Sequence, residues 1–230
     1  MLLLALDTAT PAVTVALHDG TRVLAESRQV DARRHGELLL PAVDRVLAEA
    51  GRKLDDVSDI VAGVGPGPYT GLRVGLVTAA TFGAVLGVPV HGLCSLDGLA
   101  HASGLTGSFV VATDARRKEV YWARYEAGPA TSGSAGPRPI TRLTEPAVDR
   151  PADIADQVAG VPAVGAGAVL YDTVFTGLRR EAPEHQSAGA LAALAAAKLA
   201  AGEELPAPQP MYLRRPDAQV PANYKVVTPR

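Results

Sequence analysis

The stretch from residue 63 to residue 87, GVGPGPYTGLRVGLVTAATFGAVLG, joins a turn of alternating glycines and prolines to a long apolar segment. Residues 65–68 read Gly-Pro-Gly-Pro, which neither a strand nor a helix can continue through, so the short apolar strand predicted at 59–64 must end there. Thr70 is a candidate N-cap for the following helix, because its hydroxyl can accept hydrogen bonds from the first free amides. Those amides and the helix dipole could hold an anion.

The helix predicted at 70–87 is apolar on two opposite faces, and Arg73 is its only charged residue. A surface helix needs one apolar stripe, so two stripes indicate burial on both sides. One face holds Leu72, Leu76, Ala79, Phe82 and Leu86, and the other holds Val74, Val77, Thr78, Thr81 and Val85. Small residues at every fourth position, from 71 to 87, would let another backbone approach closely. Two interpretations stay open: a helix enclosed by its own domain, or a helix that covers its own sheet with one face and a second protein with the other.

The composition is that of a folded protein, with 230 residues, 47% hydrophobic, 20% charged and a net charge of −2. Affinity for nucleic acid comes mainly from an excess of Lys and Arg, which a net charge of −2 does not supply. We therefore expect any RNA contact to be local or mediated by a partner. The apolar segment at the start is only six residues long before Asp7, which is too short for a signal sequence or a membrane span. We therefore expect a cytoplasmic protein with no membrane partner. Cys94 is the single cysteine and no two of the five histidines have ligand spacing, so we expect no metal site.

The order of predicted elements in the first half is βββαβα, followed by a further strand and helix. Strands are predicted at 2–7, 12–18 and 22–29, a helix at 36–50, and, after the segment described above, a strand at 88–93 and a helix at 95–102. Asp19-Gly20 should form a tight turn. Pro41 should kink the first helix or mark its first turn.

A similar order restarts more faintly after Gly104. Strands are predicted at 109–114 and 119–126, a Gly- and Pro-rich loop at 128–139, a strand at 140–143, a helix at 151–159, a strand at 163–167 and an alanine-rich helix at 187–201. We therefore predict a first lobe at 1–104, a smaller second lobe at 105–204 and a Pro-rich tail at 205–230. The tail has four basic residues and one acidic residue, a charge of +3.

Two βββαβα lobes that face each other across a cleft resemble the α/β fold shared by actin, Hsp70 chaperones and sugar kinases, the ASKHA fold. In that superfamily the first hairpin places an Asp and small hydroxyl residues beside nucleotide phosphates and magnesium. The residues that this resemblance implies for nucleotide binding are Asp7, Thr8, Thr10, Thr70, Asp114, Gly165 and Gly167. Ala9 stands where a glycine would admit a phosphate, so the motif is incomplete. A turn in which Asp7 bonds its own backbone is the alternative.

Four longer strings are similar to those of the bacterial TsaB family, also called YeaZ. They are GPGPYTGLRVG at 65–75, PVHGLCSLDGLA at 89–100, DARRKEVYWARY at 114–125 and PMYLRRPDA at 210–218. The resemblance implies a noncatalytic scaffold that pairs with a TsaD-type transferase and a TsaE-type ATPase to form N6-threonylcarbamoyladenosine at adenosine 37 of tRNAs that read ANN codons. It also implies no catalytic residue and no tightly bound cofactor, with ATP or ADP at the junction with the partner and tRNA contacted only through the complex.

The family pairs through a bundle of two helices from each subunit, which implies the helices at 36–50 and 70–87 here. The candidate partner-binding residues are Leu38, Leu39, Ala42, Val43, Val46, Leu72, Leu76, Ala79, Phe82 and Gly83. A patch of this kind would be too apolar to stay exposed, so we expect a homodimer when the partner is missing.

Two other interpretations stay open. The first is an enzyme of the same fold that acts alone, either a small-molecule kinase or an M22-type metallopeptidase. The kinase needs a phosphate-binding glycine and a general base, and the peptidase needs metal ligands that the histidine spacing does not supply. The second concerns the basic run Arg116, Arg117 and Lys118. This run is interpreted either as a contact for tRNA or the partner, or as a solvated hairpin turn.

Overall fold

The computed structural model describes residues 1–129 and 139–214. The first half contains β1 (Leu3–Asp7), β2 (Ala12–His18), β3 (Val23–Val30), α1 (His35–Glu49), β4 (Asp59–Gly63), α2 (Tyr69–Leu86), β5 (Val90–Leu93) and α3 (Ser95–Ala102). The second half contains β6 (Gly107–Arg116), β7 (Glu119–Ala127), β8 (Ile140–Arg142), β9 (Ala147–Asp149), α4 (Ala155–Val158), β10 (Pro162–Val164), α5 (Ala166–Leu170), β11 (Gly177–Leu178) and α6 (Ala188–Ala200). Short 3-10 turns at Leu54–Asp56 and Pro151–Ile154 precede β4 and α4.

The first sheet has the strand order β3-β2-β1-β4-β5. The pairs β1–β2 and β2–β3 are antiparallel, and the pairs β1–β4 and β4–β5 are parallel. All five residues of β1 are buried. Leu4 and Leu6 belong to one core cluster with α1 and α2, whereas Leu3 and Ala5 belong to another with α6. Alternate side chains of a strand point to opposite faces, so a continuously apolar strand fits a position between two helix layers.

The second sheet has the order β11-β10-β6-β7-β8, and β9 also pairs with β7. Its pairs β6–β7 and β7–β8 are antiparallel, and its pairs β6–β10 and β10–β11 are parallel. This is the arrangement of the first sheet with β6 in the place of β1. Both lobes therefore have the βββαβα topology, which confirms the predicted α/β fold of two actin-like lobes.

The last helix of each half packs against the sheet of the other half. Leu99 of α3 lies in one cluster with Phe109 and Tyr125 of the second sheet. Leu191 of α6 lies in one cluster with Leu3 of the first sheet, and α3 and α6 contact each other. The lobes are therefore joined by buried apolar packing, and the division at 104 and 204 stays a prediction.

Residues 205–214, called the strap below, run over the first lobe without forming a helix or strand. The carbonyl of Pro206 accepts from the amide of Gly92 at 2.7 Å, and the amide of Met211 donates to the carbonyl of Val64 at 2.8 Å. This part of the predicted tail thus lies on the chain's own surface. The rest of the tail, 215–230, and residues 130–138 of the predicted loop lie outside the described residues.

Three local predictions are corrected by the structure. Pro41 lies inside α1, which begins at His35, so it does not mark the first turn. The strand predicted at 163–167 ends at Val164, because Gly165 has a φ of 100° and serves as the N-cap of α5. Thr70 is not the N-cap of α2: that position is Pro68, which has no side-chain acceptor.

Candidate functional site

The turn after β1 is held by a buried carboxylate. Asp7 Oδ1 accepts from the amide of Ala9 at 2.8 Å and from Gln186 Nε2 at 3.2 Å. Burial raises the pKa of Asp7, and these hydrogen bonds oppose that effect. A Cβ atom added at Gly63 would lie 2.1 Å from Asp7 Oδ2. The carboxylate is therefore packed against the backbone of β4 and bonds its own turn, as the alternative interpretation of Asp7 predicted.

The threonines of the same turn bond α2 and the segment before α6. Thr8 Oγ1 donates to the carbonyl of Gly71 at 2.7 Å and accepts from the amide of Gly75 at 2.9 Å. Thr10 Oγ1 donates to Gln186 Oε1. A Cβ atom at Gly67 would lie 2.1 Å from the carbonyl oxygen of Ala9. Hydroxyls that the superfamily resemblance places beside phosphates thus hold α2, through Thr8, and the segment before α6, through Thr10, against this turn.

Two cavities meet at Thr10 and Pro11 and differ in charge. The first, of about 220 Å³ and called the basic cavity below, lies at the starts of α1 and α2. Its lining includes Arg33, Arg116 and Thr70, and among the described residues that line it there is no Asp or Glu. The second, of about 360 Å³, is the cleft between the lobes, lined by Thr113, Asp114, Ala166, Val169, Leu170, Glu184 and His185. A phosphate would meet cations in the first cavity and carboxylates in the second.

The glycines predicted near an adenine are explained by close packing against β6. A Cβ atom at Gly165 would lie 2.3 Å from the carbonyl oxygen of Ala112, and one at Gly167 would lie 2.8 Å from that of Thr113. Asp114 Oδ1 accepts from the amide of Arg116 at 2.8 Å. Its other oxygen lies 3.5 Å from the Arg116 guanidinium. The structure brings Asp114 and Thr10 to one cleft, while nucleotide binding by these residues stays a prediction.

The residues predicted to bind a partner lie mainly in the chain's own core, which is a correction. Leu39, Ala42, Val43, Val46, Leu72, Leu76, Ala79 and Gly83 are buried, and Leu38 and Phe82 are half-buried. The row of small residues faces inward, because Gly75 approaches Thr8 and Gly83 approaches Val90. These glycines thus make room for side chains of the chain itself, and a partner cannot reach most of this set.

The opposite side of α2 is exposed and mostly apolar from Val77 onward, and Leu40 of α1 is exposed as well. We define the outer face as Leu40 of α1 with Val77, Ala80, Thr81, Ala84 and Val85 of α2, all of which are exposed. Leu40, Val77 and Val85 have 51%, 58% and 75% of their surface accessible. In the described part of the chain, α2 is the one helix long and apolar enough to cross a membrane, and its inner face packs on the first sheet. Of the two apolar faces predicted for α2, one is therefore core and the other is available.

The basic run forms the tip of the β6–β7 hairpin. Arg116, Arg117 and Lys118 are exposed and have φ values of 63°, 54° and 62°. Arg214 of the strap donates to the carbonyl of Ala115 at 2.9 Å and pairs with Glu119. The hairpin is therefore a fixed feature of the surface. The sequence analysis missed Arg214 because only the tertiary path of the strap brings it there.

A partly buried polar network joins α3 to the second sheet. Asp97 Oδ1 accepts from the hydroxyl of Tyr125 at 2.8 Å and from Arg142 Nη1 at 3.0 Å. Burial raises the pKa of Asp97, and the Arg142 charge opposes that effect. The sequence analysis missed these residues and also Gln186, because each bond joins distant parts of the chain. Within residues 1–129 and 139–214, no three His, Cys, Asp or Glu side chains are grouped to hold a metal ion.

Comparison with known proteins assigns the chain to a family. Residues 23–218 match the family model described as TsaD, tRNA N6-adenosine threonylcarbamoyltransferase. An uncharacterised protein of Mycobacterium tuberculosis is 44% identical over 221 residues, which is 94% of this chain and 93% of that protein. The solved structure of YeaZ from Pseudomonas aeruginosa has a TM-score of 0.74 and 32% identity, covering 92% of this chain and 99% of that one. The chain belongs to the TsaB (YeaZ) family. This confirms the resemblance found in the four sequence strings.

Proteins that carry the TsaB name match a shorter part of the chain. TsaB from Escherichia coli, a tRNA threonylcarbamoyladenosine biosynthesis protein, is 37% identical over 131 residues, which is 55% of this chain and 55% of that protein. TsaB from Bacillus subtilis is 35% identical over 130 residues. The chain thus aligns with about half the length of these TsaB proteins.

Proposed function

We propose that this TsaB-family chain is a noncatalytic subunit in the formation of N6-threonylcarbamoyladenosine at adenosine 37 of tRNAs that read ANN codons. In this proposal it works in the cytoplasm, pairs with a TsaD-type transferase, and is joined by a TsaE-type ATPase. The names of its relatives support the pathway. The exposed outer face of α1 and α2 is the observation that carries the role as a partner-binding subunit.

The outer face has the composition of a helix–helix interface. Val77 and Val85 present branched apolar side chains, and Ala80 and Ala84 between them would let another helix come close. Burying one Val or Leu side chain completely contributes about 1.5–3 kcal/mol. Exposed apolar patches on folded proteins mark interaction sites. The preferred occupant is a TsaD-type subunit, with a second copy of this chain when that subunit is absent.

The internal use of the first turn supports a noncatalytic role. Oδ1 of Asp7 and the hydroxyls of Thr8 and Thr10 bond other groups of the chain itself. The cleft contains three side chains of types that can act as the general base of a kinase, namely Asp114, Glu184 and His185, so the noncatalytic role rests on the first turn and not on the lining of the cleft. Any ATP or ADP is proposed to bind at the junction with the partner.

The interface is tested with Ala80→Arg, which places a charge on the outer face. We expect the variant to fold normally but to lose pairing, both with a co-expressed TsaD-type subunit and with itself, in size-exclusion chromatography with light scattering. Leu143→Arg is the matched control, because Leu143, like Ala80, is exposed but lies after β8 in the second lobe. Unchanged complexes for A80R, or equal loss for L143R, would contradict the proposed surface.

The noncatalytic role is tested on the purified chain alone. We expect no appreciable ATP hydrolysis, no peptide hydrolysis and less than one equivalent of bound transition metal by elemental analysis. Turnover by the chain without its partner, abolished by Asp114→Asn, would favour the kinase or peptidase of the same fold.

A further inference from the structure

We propose that the β6–β7 hairpin tip and an exposed pair of tyrosines form one RNA-binding surface on this chain. We define the RNA surface as Tyr69, Arg73, Arg116, Arg117, Lys118 and Tyr212. The cations would meet phosphates, and the tyrosine rings would stack on unpaired bases. The identity of the RNA as tRNA rests on the proposed function, whereas the surface itself is argued from the contacts below.

The hairpin tip carries cations where turn chemistry favours other residues. Arg117 and Lys118 occupy the two-residue turn between β6 and β7 with φ values of 54° and 62°. Such turns favour Asn-Gly, because side chains other than those of Gly, Asn and Asp are disfavoured at positive φ. Arg116 before them also has a φ of 63°. Three consecutive cations in disfavoured backbone conformations indicate a requirement for their charge rather than for the turn.

The hairpin is held in place by the strap. Arg214 donates to the carbonyl of Ala115 at 2.9 Å and its charge is paired with Glu119. Arg116 lies near Asp114, and Arg117 and Lys118 are also exposed at the tip. Arg214 is therefore a positioning residue, and the charge offered to a ligand comes from the tip.

The same strap brings a second aromatic ring onto α2. The rings of Tyr69 and Tyr212 have centroids 5.0 Å apart and planes inclined by 32°, and they are 54% and 43% exposed. The guanidinium carbon of Arg73 lies 5.0 Å from the Tyr69 centroid. Partly exposed aromatic rings beside an arginine are a common means by which proteins stack unpaired bases. An acidic protein partner would need the cations but not the ring faces.

The basic cavity connects the two parts of this surface. Arg116 of the hairpin lines it, and so do Pro68 and Thr70 on either side of Tyr69. The adjacent cleft has Asp114 and Glu184 in its lining, so phosphates are favoured on one side only. Tyr69 lies two helical turns before Val77 of the outer face. RNA binding and partner binding can therefore be measured separately.

The test is fluorescence anisotropy of a labelled, unmodified tRNA transcript with adenosine at position 37, titrated with the chain in complex with its TsaD-type partner. We expect Tyr212→Ala to weaken binding about tenfold, and Tyr212→Phe to stay within about twofold because the ring is kept. Arg117→Asn with Lys118→Asn removes two charges with residues that tolerate positive φ. This double variant should lower the slope of log affinity against log salt by about one for each phosphate that the tip neutralises in the parent protein.

Two controls make the result decisive. Arg52→Asn removes an exposed charge beside Asp19 and Asp56, in a different cavity, and should leave the affinity unchanged. Pairing with the TsaD-type partner and the melting temperature are measured for each variant in parallel, so that a variant in which the strap has loosened is identified. The proposal is overturned if Y212A and the double variant both bind RNA as the parent protein does. It is also overturned if only the double variant binds more weakly, because that result would indicate a generic anionic partner. If no complex with a TsaD-type subunit forms, the proposed function fails, and the same titration on the chain alone decides the RNA surface.

Discussion

Gln186 Nε2 lies 3.2 Å from Asp7 Oδ1, although 179 residues separate the two in the sequence. The same side chain donates to the carbonyl of Ala12 at 3.2 Å and accepts from Thr10 Oγ1. One glutamine before α6 thus satisfies three polar groups of the β1–β2 turn. Because Gln186, Asp7 and Thr10 are all buried, the geometry of this turn depends on the position of the last helix of the chain.

Replacing Gln186 by Ala should destabilise the protein, because two buried acceptors and one buried donor lose their partner. We expect a decrease in the free energy of unfolding of about 1–3 kcal/mol, measured by urea denaturation. Gln209→Ala is the control, since Gln209 is exposed on the strap, and should change stability by less than about 0.5 kcal/mol. Equal effects of the two substitutions would contradict the importance of the buried network.

The stability of the protein should decrease as the Asp7 carboxyl ionises. Burial raises the pKa of Asp7 above its ordinary 3.8, so the folded state holds this proton more tightly than the unfolded chain does. The stability gained from the protonated form is therefore full below about pH 3.8 and is lost as pH rises through the raised pKa. Asp7→Asn cannot ionise and should lack this loss. The urea midpoints of the parent protein and of Asp7→Asn are compared across this pH range. Parallel curves of midpoint against pH would contradict a destabilising ionisation of Asp7.

Glycine substitutions should separate close packing from helix propensity. In Gly67→Ala the new methyl group would lie 2.1 Å from the carbonyl oxygen of Ala9, and overpacking of this kind costs about 1–3 kcal/mol. Gly36 of α1 has open space around its Cβ position, so Gly36→Ala should stabilise the protein by about 0.5–1 kcal/mol. Thermal unfolding followed by circular dichroism measures both changes. A stabilising G67A would show that the turn can move away from α2.

The thiol of Cys94 should be unreactive in the folded protein. Burial raises its pKa to about 12, and the nearby Asp97 charge acts in the same direction. At pH 8 only about one thiol in ten thousand would be ionised, and the thiolate is the reactive form. We expect Ellman's reagent to titrate this single cysteine rapidly in urea and very slowly in buffer. Rapid reaction in buffer would mean that the segment around α3 opens readily.

Local patterns in the sequence determined the elements and their order. The Gly-Pro-Gly-Pro turn separates β4 from α2, the periodicity of apolar residues identifies α1 and α2, and the alanine-rich composition identifies α6. These signals are local, because the 3.6-residue and two-residue repeats are set by backbone geometry. The repeated βββαβα order was therefore accessible before the structure, and the resemblance to the family came from the four longer sequence strings. Only short elements deviated, such as the strand that Gly165 ends at Val164.

Tertiary structure alone decided which face of α2 is inside. Both faces are apolar at helical spacing. Periodicity therefore shows that there are two faces, but it does not show which of them is the core face. The structure buries the face with Leu72 and Leu76, because the Thr8 turn packs closely against Gly71 and Gly75. For the same reason the sequence could not reveal that Gln186 reaches Asp7, or that Arg214 reaches the β6–β7 hairpin. Those contacts join residues far apart in the chain, and only the packing of the two lobes brings them together.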